Sequence, residues 1–109
     1  MNAVPTVNDP DLINIFAILS NQLRWDIFLL IKDKQRISSA DITKEMGISQ
    51  PLSHFHTKAL HNADLIMRHI GSKNRNIWTI NEKTLRFMKK VFELPAGKPE
   101  KIYNIDKNL

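Results

Sequence analysis

The side chains most suited to binding chemistry gather in one stretch of the sequence, residues 48–81. Within it Asp64 is the only acidic residue, and the cations are Lys58, Arg68, Lys73 and Arg75. All four histidines of the chain also lie there, at positions 54, 56, 61 and 69. Lysine and arginine pair with phosphate, and polar side chains can hydrogen-bond to base edges. This grouping favours an anionic partner, with an ordinary solvated basic face as the alternative.

The distribution of charge narrows the class of protein. The formal net charge is +5, yet residues 1–47 carry a net charge of −1, so the excess lies in the rest of the chain. The sequence has no cysteine, which excludes disulfides, thiolate metal ligands and a cysteine nucleophile. It also lacks a glycine-rich phosphate loop and paired carboxylates within one segment, so we predict that the protein is not an enzyme.

Length and hydropathy predict one domain. The 109 residues, 42% of them hydrophobic, fit a single globular unit with its own core. No apolar run approaches the ~20 residues that span a bilayer, and the first residues do not resemble a signal peptide, so we expect a cytoplasmic protein without a membrane partner. We predict a flexible arm at residues 1–8, a folded domain at 9–94 and a C-terminal tail at 95–109.

Apolar residues at helical spacing predict two helices in the first third of the chain. Asp9 and Pro10 suit the start of the first helix, because aspartate can cap a helix and proline is tolerated in its first turn. A serine or asparagine at positions 20–21 can cap the second helix, which we expect to be nearly central, with Trp25 in the core. Ile37 then falls in a very short strand.

Two short helices follow with the spacing of a helix-turn-helix. The first is capped by Ser38 or Ser39 and ends at Gly47, and the second begins after the cap Ser49 and spans about residues 50–63. Plotted as a helix, the second segment has an apolar side and an opposite side that is polar and free of acid. The apolar side comprises Leu52, Phe55, His56, Ala59, Leu60 and Ala63, and the polar side comprises Gln50, His54, Thr57, Lys58 and His61.

The period of the apolar residues then changes to that of strands. Residues 66–70 and 76–80 predict two strands, joined by a turn at 71–75 whose tip is basic. A last helix, capped by Asn81 and stopped by Pro95, is apolar on two sides, as is the first helix. The predicted fold is mainly α with a small β-hairpin: a winged helix-turn-helix built from two helices, a short strand, two helices, two strands and a last helix.

The segment from Ile15 to Phe92, roughly three quarters of the chain, resembles the ArsR/SmtB-like winged-helix transcriptional regulators. The resemblance is carried by Phe16 to Leu19 followed by Arg24, Ile27 and Leu30; by Ile42 to Met46; by Gly47 to Pro51 leading to His56, Leu60, Ala63 and Leu65; and by Trp78 to Ile80. The family's usual serine falls at Ser53 or His54. Thr57 stands where a leucine is usual, and Asp64 where a glycine usually ends the helix.

The resemblance implies how the chain would bind DNA. In the family, the helix after the Ser-Gln pair lies in the major groove, the hairpin tip contacts the backbone or minor groove, and the first and last helices form a homodimer. The implied DNA-binding residues are Ser49, Gln50, Ser53, His54, Thr57, Lys58 and His61 on the helix, with Arg68, Lys73, Asn74 and Arg75 on the wing. The implied dimer interface comprises Ile13, Phe16, Ala17, Phe87, Met88, Val91 and Phe92.

A dimer of this kind predicts a palindromic operator in double-stranded DNA, because its two equivalent helices read successive major grooves. We expect a repressor, since the chain leaves no room for an activation domain. Two alternatives stay open. Winged helices also serve as protein-interaction modules without specific DNA binding, and the apolar stripe of the last helix could line an inducer pocket, although we favour dimer packing.

The resemblance also indicates whether the protein could sense a metal ion. Metal-responsive members carry a Cys-x-Cys pair where this chain has Ser38 and Ala40, and their second site takes Asp and His from a last helix that here has neither. We therefore predict no metal and no cofactor. The histidines lack a nearby carboxylate to complete a zinc site. We expect instead that protonation of His54, His61 and His69 below pH ~6.5 adds positive charge to the DNA-binding face.

Overall fold

The computed structural model describes residues 11–92, except for the side chain of Phe92. The helices in this range are α1 (Leu12–Leu19), α2 (Gln22–Lys34), α3 (Ser39–Met46), α4 (Gln50–Asn62) and α5 (Glu82–Phe92). The strands are β1 (Ile37–Ser38), β2 (Ile66–Ile70) and β3 (Asn76–Ile80). This order confirms the predicted winged helix-turn-helix. The predicted arm at 1–8 and tail at 95–109 lie outside the described residues, as do Asp9, Pro10 and Pro95.

Polar side chains at the helix starts explain where the first four helices begin. The caps are Asp11 for α1, Asn21 for α2, Ser38 for α3 and Ser49 for α4, and each accepts a hydrogen bond from the backbone N–H three residues later at 2.9–3.2 Å. Such a cap contributes about 1 kcal/mol. The predicted start of α1 at Asp9 is corrected, because Asp11 adopts the extended backbone conformation of a cap.

The helices α3 and α4 end in the same backbone motif with different residues at its key position. After α3, the N–H of Ile48 reaches back to the helix at 3.3 Å, and Gly47 is left-handed with φ 64°. After α4, the N–H of Leu65 donates to the carbonyl of Leu60 at 3.0 Å, and the left-handed residue is Asp64 with φ 60°. Glycine adopts this conformation without steric penalty, whereas aspartate does not.

The three strands form one antiparallel sheet in the order β1-β3-β2. β1 pairs with β3 so that Ile37 lies opposite Trp78, and β2 and β3 extend from the domain as the wing. At the tip of the wing, Lys73 and Asn74 both have a φ of 59°. Two successive residues with positive φ are what a type I′ hairpin turn requires.

The core lies between the helices and the sheet. Its fully buried side chains are Ile15, Ile27, Ile31, Ile42, Leu60, Leu65 and Ile66. Trp78 is 4% exposed, and its indole N–H donates to the hydroxyl of Ser39 at 2.7 Å, so the buried nitrogen has a partner. The prediction that Trp25 lies in the core is wrong: it is 37% exposed, and its ring lies 6.0 Å from that of Phe28 between centroids.

Candidate nucleic-acid interface

The helix α4 turns a different face outward from the one that its apolar pattern predicts. Its buried residues are Ser53, His56, Thr57 and Leu60. Leu52 and Phe55, which were expected on the buried side, are 40% and 60% exposed. The helix is therefore rotated, relative to the prediction, by about the angle between neighbouring residues.

Ser53 and Thr57, which were predicted to face DNA, are each 2% exposed, although both line the groove between α4, α3 and the wing. The Thr57 hydroxyl donates to the backbone carbonyl of Ser53 at 3.0 Å and lies 3.2 Å from that of His54. A hydroxyl bonded to its own helix has no need of water, so threonine can occupy an inward position. Both residues therefore stay predictions, with little of either side chain exposed for contact.

The outward face of α4 carries Gln50, His54 and Lys58, as predicted, together with Phe55. His54 and Phe55 lie four and three residues before Lys58, so the three side chains are neighbours on the helix surface. The helix contains no acidic residue. This face therefore combines hydrogen-bonding, cationic and apolar groups without a carboxylate that would repel phosphate.

An open groove of about 430 Å³ lies between α4, the start of α3 and the turn end of the wing. Its walls include Ser39 from α3, Gln50 and His54 from α4, and Arg75 and Asn76 from the wing. None of its lining residues is acidic. Donors and a cation from three elements meet here, which is an arrangement suited to the sugar-phosphate backbone and to base edges.

His61 and His69 contact side chains of the sheet of their own chain. The prediction that His61 faces outward is wrong, because its half-buried ring meets Trp78 edge-on at a centroid distance of 5.5 Å. The Nε2 atom of His69 lies 2.9 Å from the hydroxyl of Thr79. Of the three histidines expected to add charge at low pH, His54 is exposed, whereas His61 and His69 are half-buried. The increase of DNA affinity at low pH stays a prediction.

The wing presents all four of its predicted DNA-binding residues as exposed side chains: Arg68, Lys73, Asn74 and Arg75. The turn is closed by a hydrogen bond from the N–H of Arg75 to the carbonyl of Ser72 at 3.2 Å and by one from the N–H of Gly71 to the carbonyl of Arg75 at 2.7 Å. A Cβ atom on Gly71 would lie 3.0 Å from Cγ1 of Ile77. The tight turn therefore holds its cations in a defined place.

Arg24, to which the sequence pattern gave no role, joins α4 to the junction of α1 and α2. Its Nε donates to Nδ1 of His56 at 3.2 Å, its Nη1 donates to the carbonyl of Ile18 at 3.0 Å, and its guanidinium carbon lies 5.9 Å from the ring centroid of Phe55. Burial and, second, the charge of Arg24 lower the pKa of His56 below its ordinary 6.5. The neutral imidazole can thus accept from Arg24 and fix the orientation of α4.

The predicted dimer interface on α1 is available for contact. Ile13 is 82% exposed, Phe16 is 44% exposed and Ala17 is exposed. Ile13 in particular presents almost its whole side chain to solvent. These residues keep their place in the predicted interface.

The predicted interface on α5 needs one correction. Met88 is 6% exposed and packs in the core of its own chain, so it cannot serve as an interface residue without rearrangement. The amphipathic helix turns Met88 inward and leaves Phe87 and Val91 half-buried at its edge. The side chain of Phe92 lies outside the described residues. Phe87 and Val91 therefore stay predicted interface residues.

Within residues 11–92, no three histidine or acidic side chains lie close enough together to hold a metal ion. In the same range, no helix is long and apolar enough to cross a membrane.

The part of the chain that contains α3 and α4 is similar to a known family of domains. Residues 20–67, which include α3 and α4, match a family model described as winged helix-turn-helix DNA-binding. The chain therefore has the winged helix-turn-helix fold, and residues 20–67 are similar to winged helix-turn-helix DNA-binding domains. A comparison with curated proteins finds no match.

Several solved structures share the fold. An ArsR-like transcriptional regulator from Rhodococcus sp. RHA1 is 17% identical, with a TM-score of 0.66 over 88% of this chain and 90% of that chain. A homodimeric winged helix-turn-helix DNA-binding domain from Mycobacterium bovis, described as a possible ArsR-family transcriptional regulator, is 17% identical, with a TM-score of 0.64 over 89% and 97%. Reduced HlyU from Vibrio cholerae is 14% identical, with a TM-score of 0.63 over 80% and 90%. The predicted resemblance to ArsR-like regulators, which are not enzymes, is confirmed at the level of the fold.

Sequence reasoning missed the exposed Leu52 and Phe55 and the anchoring role of Arg24. One signal was present: Thr57 occupies a position where the family usually has leucine, which indicates an inward-facing site. Weighing that position as apolar would have rotated the predicted face of the helix toward the observed one. No local signal places Arg24 beside His56, because the two residues are 32 positions apart.

Proposed function

We propose that the protein is a cytoplasmic transcriptional repressor that binds a palindromic operator in double-stranded DNA as a homodimer. The observation that carries this proposal is the groove without acidic residues at which α4, α3 and the wing meet. In the proposed complex, α4 enters the major groove and the wing tip contacts the backbone or minor groove. The match of residues 20–67 to a DNA-binding family supports this placement.

The interface residues divide into two roles. Lys58, Lys73 and Arg75 are exposed cations suited to phosphate, and such contacts fix position without reading sequence. Gln50 and His54 lie where base edges would pass, and a glutamine amide can donate to and accept from adenine at once. We therefore assign affinity mainly to the cations and sequence preference mainly to Gln50 and His54.

The homodimer is supported by the exposed apolar surface of α1, with Ile13 at 82% exposed. The structure from Mycobacterium bovis is itself described as homodimeric. Two-fold symmetry places the second α4 about 34–36 Å away, one turn of DNA, and so predicts a palindrome. Repression is the proposed direction because covering an operator requires no surface beyond the DNA interface.

Selection of bound duplexes from random DNA, followed by mass measurement of the complex, tests the proposal. We expect a palindromic site occupied by two protomers, and an affinity that falls steeply with salt, each phosphate contact contributing a slope of about −0.9. A transcription assay with the selected site overlapping a promoter should then show loss of transcript. A stable complex with another protein, without salt-dependent DNA binding, would favour an interaction module instead.

Two variants separate the assigned roles. Arg75→Ala should weaken binding to all sequences alike and reduce the salt slope of the dimer by about 2, because each protomer loses one phosphate contact, whereas Gln50→Ala should weaken the selected site in preference to others. Lys32→Ala is the matched control, because Lys32 is an exposed cation that lines a different groove. Unchanged affinity of Arg75→Ala would refute the assignment of the wing.

A further inference from the structure

The outward face of α4 exposes a large aromatic side chain among its polar groups. Phe55 is 60% exposed, the most exposed large apolar residue on this helix. Leu52, also on α4, is 40% exposed. An apolar surface left in water next to a proposed binding face suggests a contact with the ligand.

The ring of Phe55 contacts two other side chains of the domain, those of Arg24 and His56. The guanidinium carbon of Arg24 lies over it at 5.9 Å from the centroid, and His56 meets it at nearly a right angle with centroids 5.2 Å apart. His54 precedes Phe55 in the chain, and Lys58 follows it by one turn. The exposed part of the ring therefore lies on the same surface as the side chains proposed to contact DNA.

We propose that Phe55 contacts the C5-methyl group of a thymine in the major groove and thereby sets a preference for thymine at one position of each half-site. This inference rests on the proposed DNA-binding function. The thymine methyl is the apolar group that unmodified base pairs display in the major groove, and phenylalanine is among the side chains that contact it. The neighbouring Lys58 and the absence of acid on α4 match a DNA surface better than an apolar protein surface.

Uracil tests this contact, because it lacks the methyl group of thymine and keeps the same hydrogen-bonding edge. Thymines of the selected operator would be replaced by uracil one position at a time, in both half-sites together. Burial of one methyl group corresponds to about a fourfold change in affinity, so the contacted position should weaken the dimer by roughly 16-fold. Other positions should change affinity much less.

Variants of Phe55 identify the side chain responsible. Phe55→Ala should bind the thymine and uracil operators with equal affinity, while Phe55→Leu should keep much of the difference. Met67→Ala is the matched control, because Met67 is an apolar residue 46% exposed on β2 that lines a different groove. This control should keep both the affinity and the uracil effect, and circular dichroism would verify that each variant is folded.

The outcomes distinguish this inference from the proposed function. If the unchanged protein binds thymine and uracil operators equally, or if Phe55→Ala retains the uracil effect, the inference is overturned and the proposed function stands. If no duplex is bound in a salt-dependent way, the proposed function fails and this inference fails with it.

Discussion

Asp64, which lies two residues beyond the end of α4, has a backbone conformation that favours glycine, and replacing it should stabilise the protein. Asp64 has a φ of 60° and is exposed. Its carbonyl oxygen accepts from Nδ2 of Asn81 at 2.9 Å and from the hydroxyl of Thr84 at 2.8 Å. These contacts fix the backbone without using the carboxylate, so Asp64→Gly keeps them.

Two effects of Asp64→Gly raise the free energy of unfolding and one lowers it. The left-handed conformation costs a residue with a Cβ about 1–2 kcal/mol, and aspartate somewhat less. A carboxylate at the C-terminal end of a helix is unfavourable by about 0.3–1 kcal/mol. Glycine loses more backbone entropy on folding, about 0.5–1 kcal/mol. We expect a net gain of about 1 kcal/mol, equivalent to about 4–8 °C in Tm for a domain of this size.

Urea unfolding followed by circular dichroism measures this gain, and two further variants divide it into its causes. Asp64→Asn removes the charge and keeps the left-handed preference of a short polar side chain, so it should recover only the charge effect of about 0.3–1 kcal/mol. Gly47→Ala is the reverse experiment at the matching turn after α3. A Cβ at Gly47 would meet nothing within 4 Å, so the expected loss of about 1 kcal/mol reports backbone strain, partly offset by the lower entropy of alanine in the unfolded chain, with no steric clash.

The comparison of Asp64→Gly with Gly47→Ala tests whether the backbone at Asp64 is strained. If Gly47→Ala loses about 1 kcal/mol and Asp64→Gly gains nothing, the backbone at Asp64 is not strained in solution and the reasoning is refuted.

Three further predictions concern pH, assembly and the wing. Because burial and Arg24 lower the pKa of His56, its contribution to stability is complete above pH 6.5 and is lost as the pH falls from 6.5 through the folded-state pKa. Urea unfolding measured across this pH range should show a smaller change of stability with pH in His56→Asn than in the unchanged protein. Asparagine keeps an acceptor for Arg24 but does not titrate. An equal dependence on pH in the two proteins would contradict the assignment. Ile13→Asp should raise the dimer dissociation constant by about 100-fold, because two charges would be buried in the interface, and Met67→Asp should not; sedimentation equilibrium measures both. Lys73→Gly should relax the left-handed turn and raise stability by up to about 1 kcal/mol, while the loss of the cation weakens DNA binding. Calorimetry measures the first effect and gel-shift assays the second. A variant that loses stability as well as DNA affinity would show that Lys73 is unstrained.

The order and limits of the secondary structure could be predicted because their signals are local. Asn21 and Ser49 cap helices within three residues of themselves, and Gly47 ends α3 through its own backbone freedom. The change from helical to strand period after Leu65 likewise needs no distant partner. For the same reason, the wing and its exposed cations were found from the sequence.

The rotation of α4 could not be predicted in this way. An apolar count places Phe55 inside and Thr57 outside, yet the structure has them reversed. The intrahelical hydrogen bond of Thr57 removes the cost of burying its hydroxyl, and the contact of Arg24 with His56 and Phe55 comes from a helix distant in sequence.

The sequence by itself thus determined the order of the helices and strands, the caps of α2 and α4, and that the middle of the chain is nearly free of acid. The tertiary structure decided which side of α4 is exposed, that Met88 belongs to the core, and that Ser39, His54 and Arg75 line one groove. The physical reason is the distance along the sequence over which each kind of interaction acts. Caps, turns and periodicity act within a few residues, whereas burial and the meeting of side chains from three elements depend on how those elements pack.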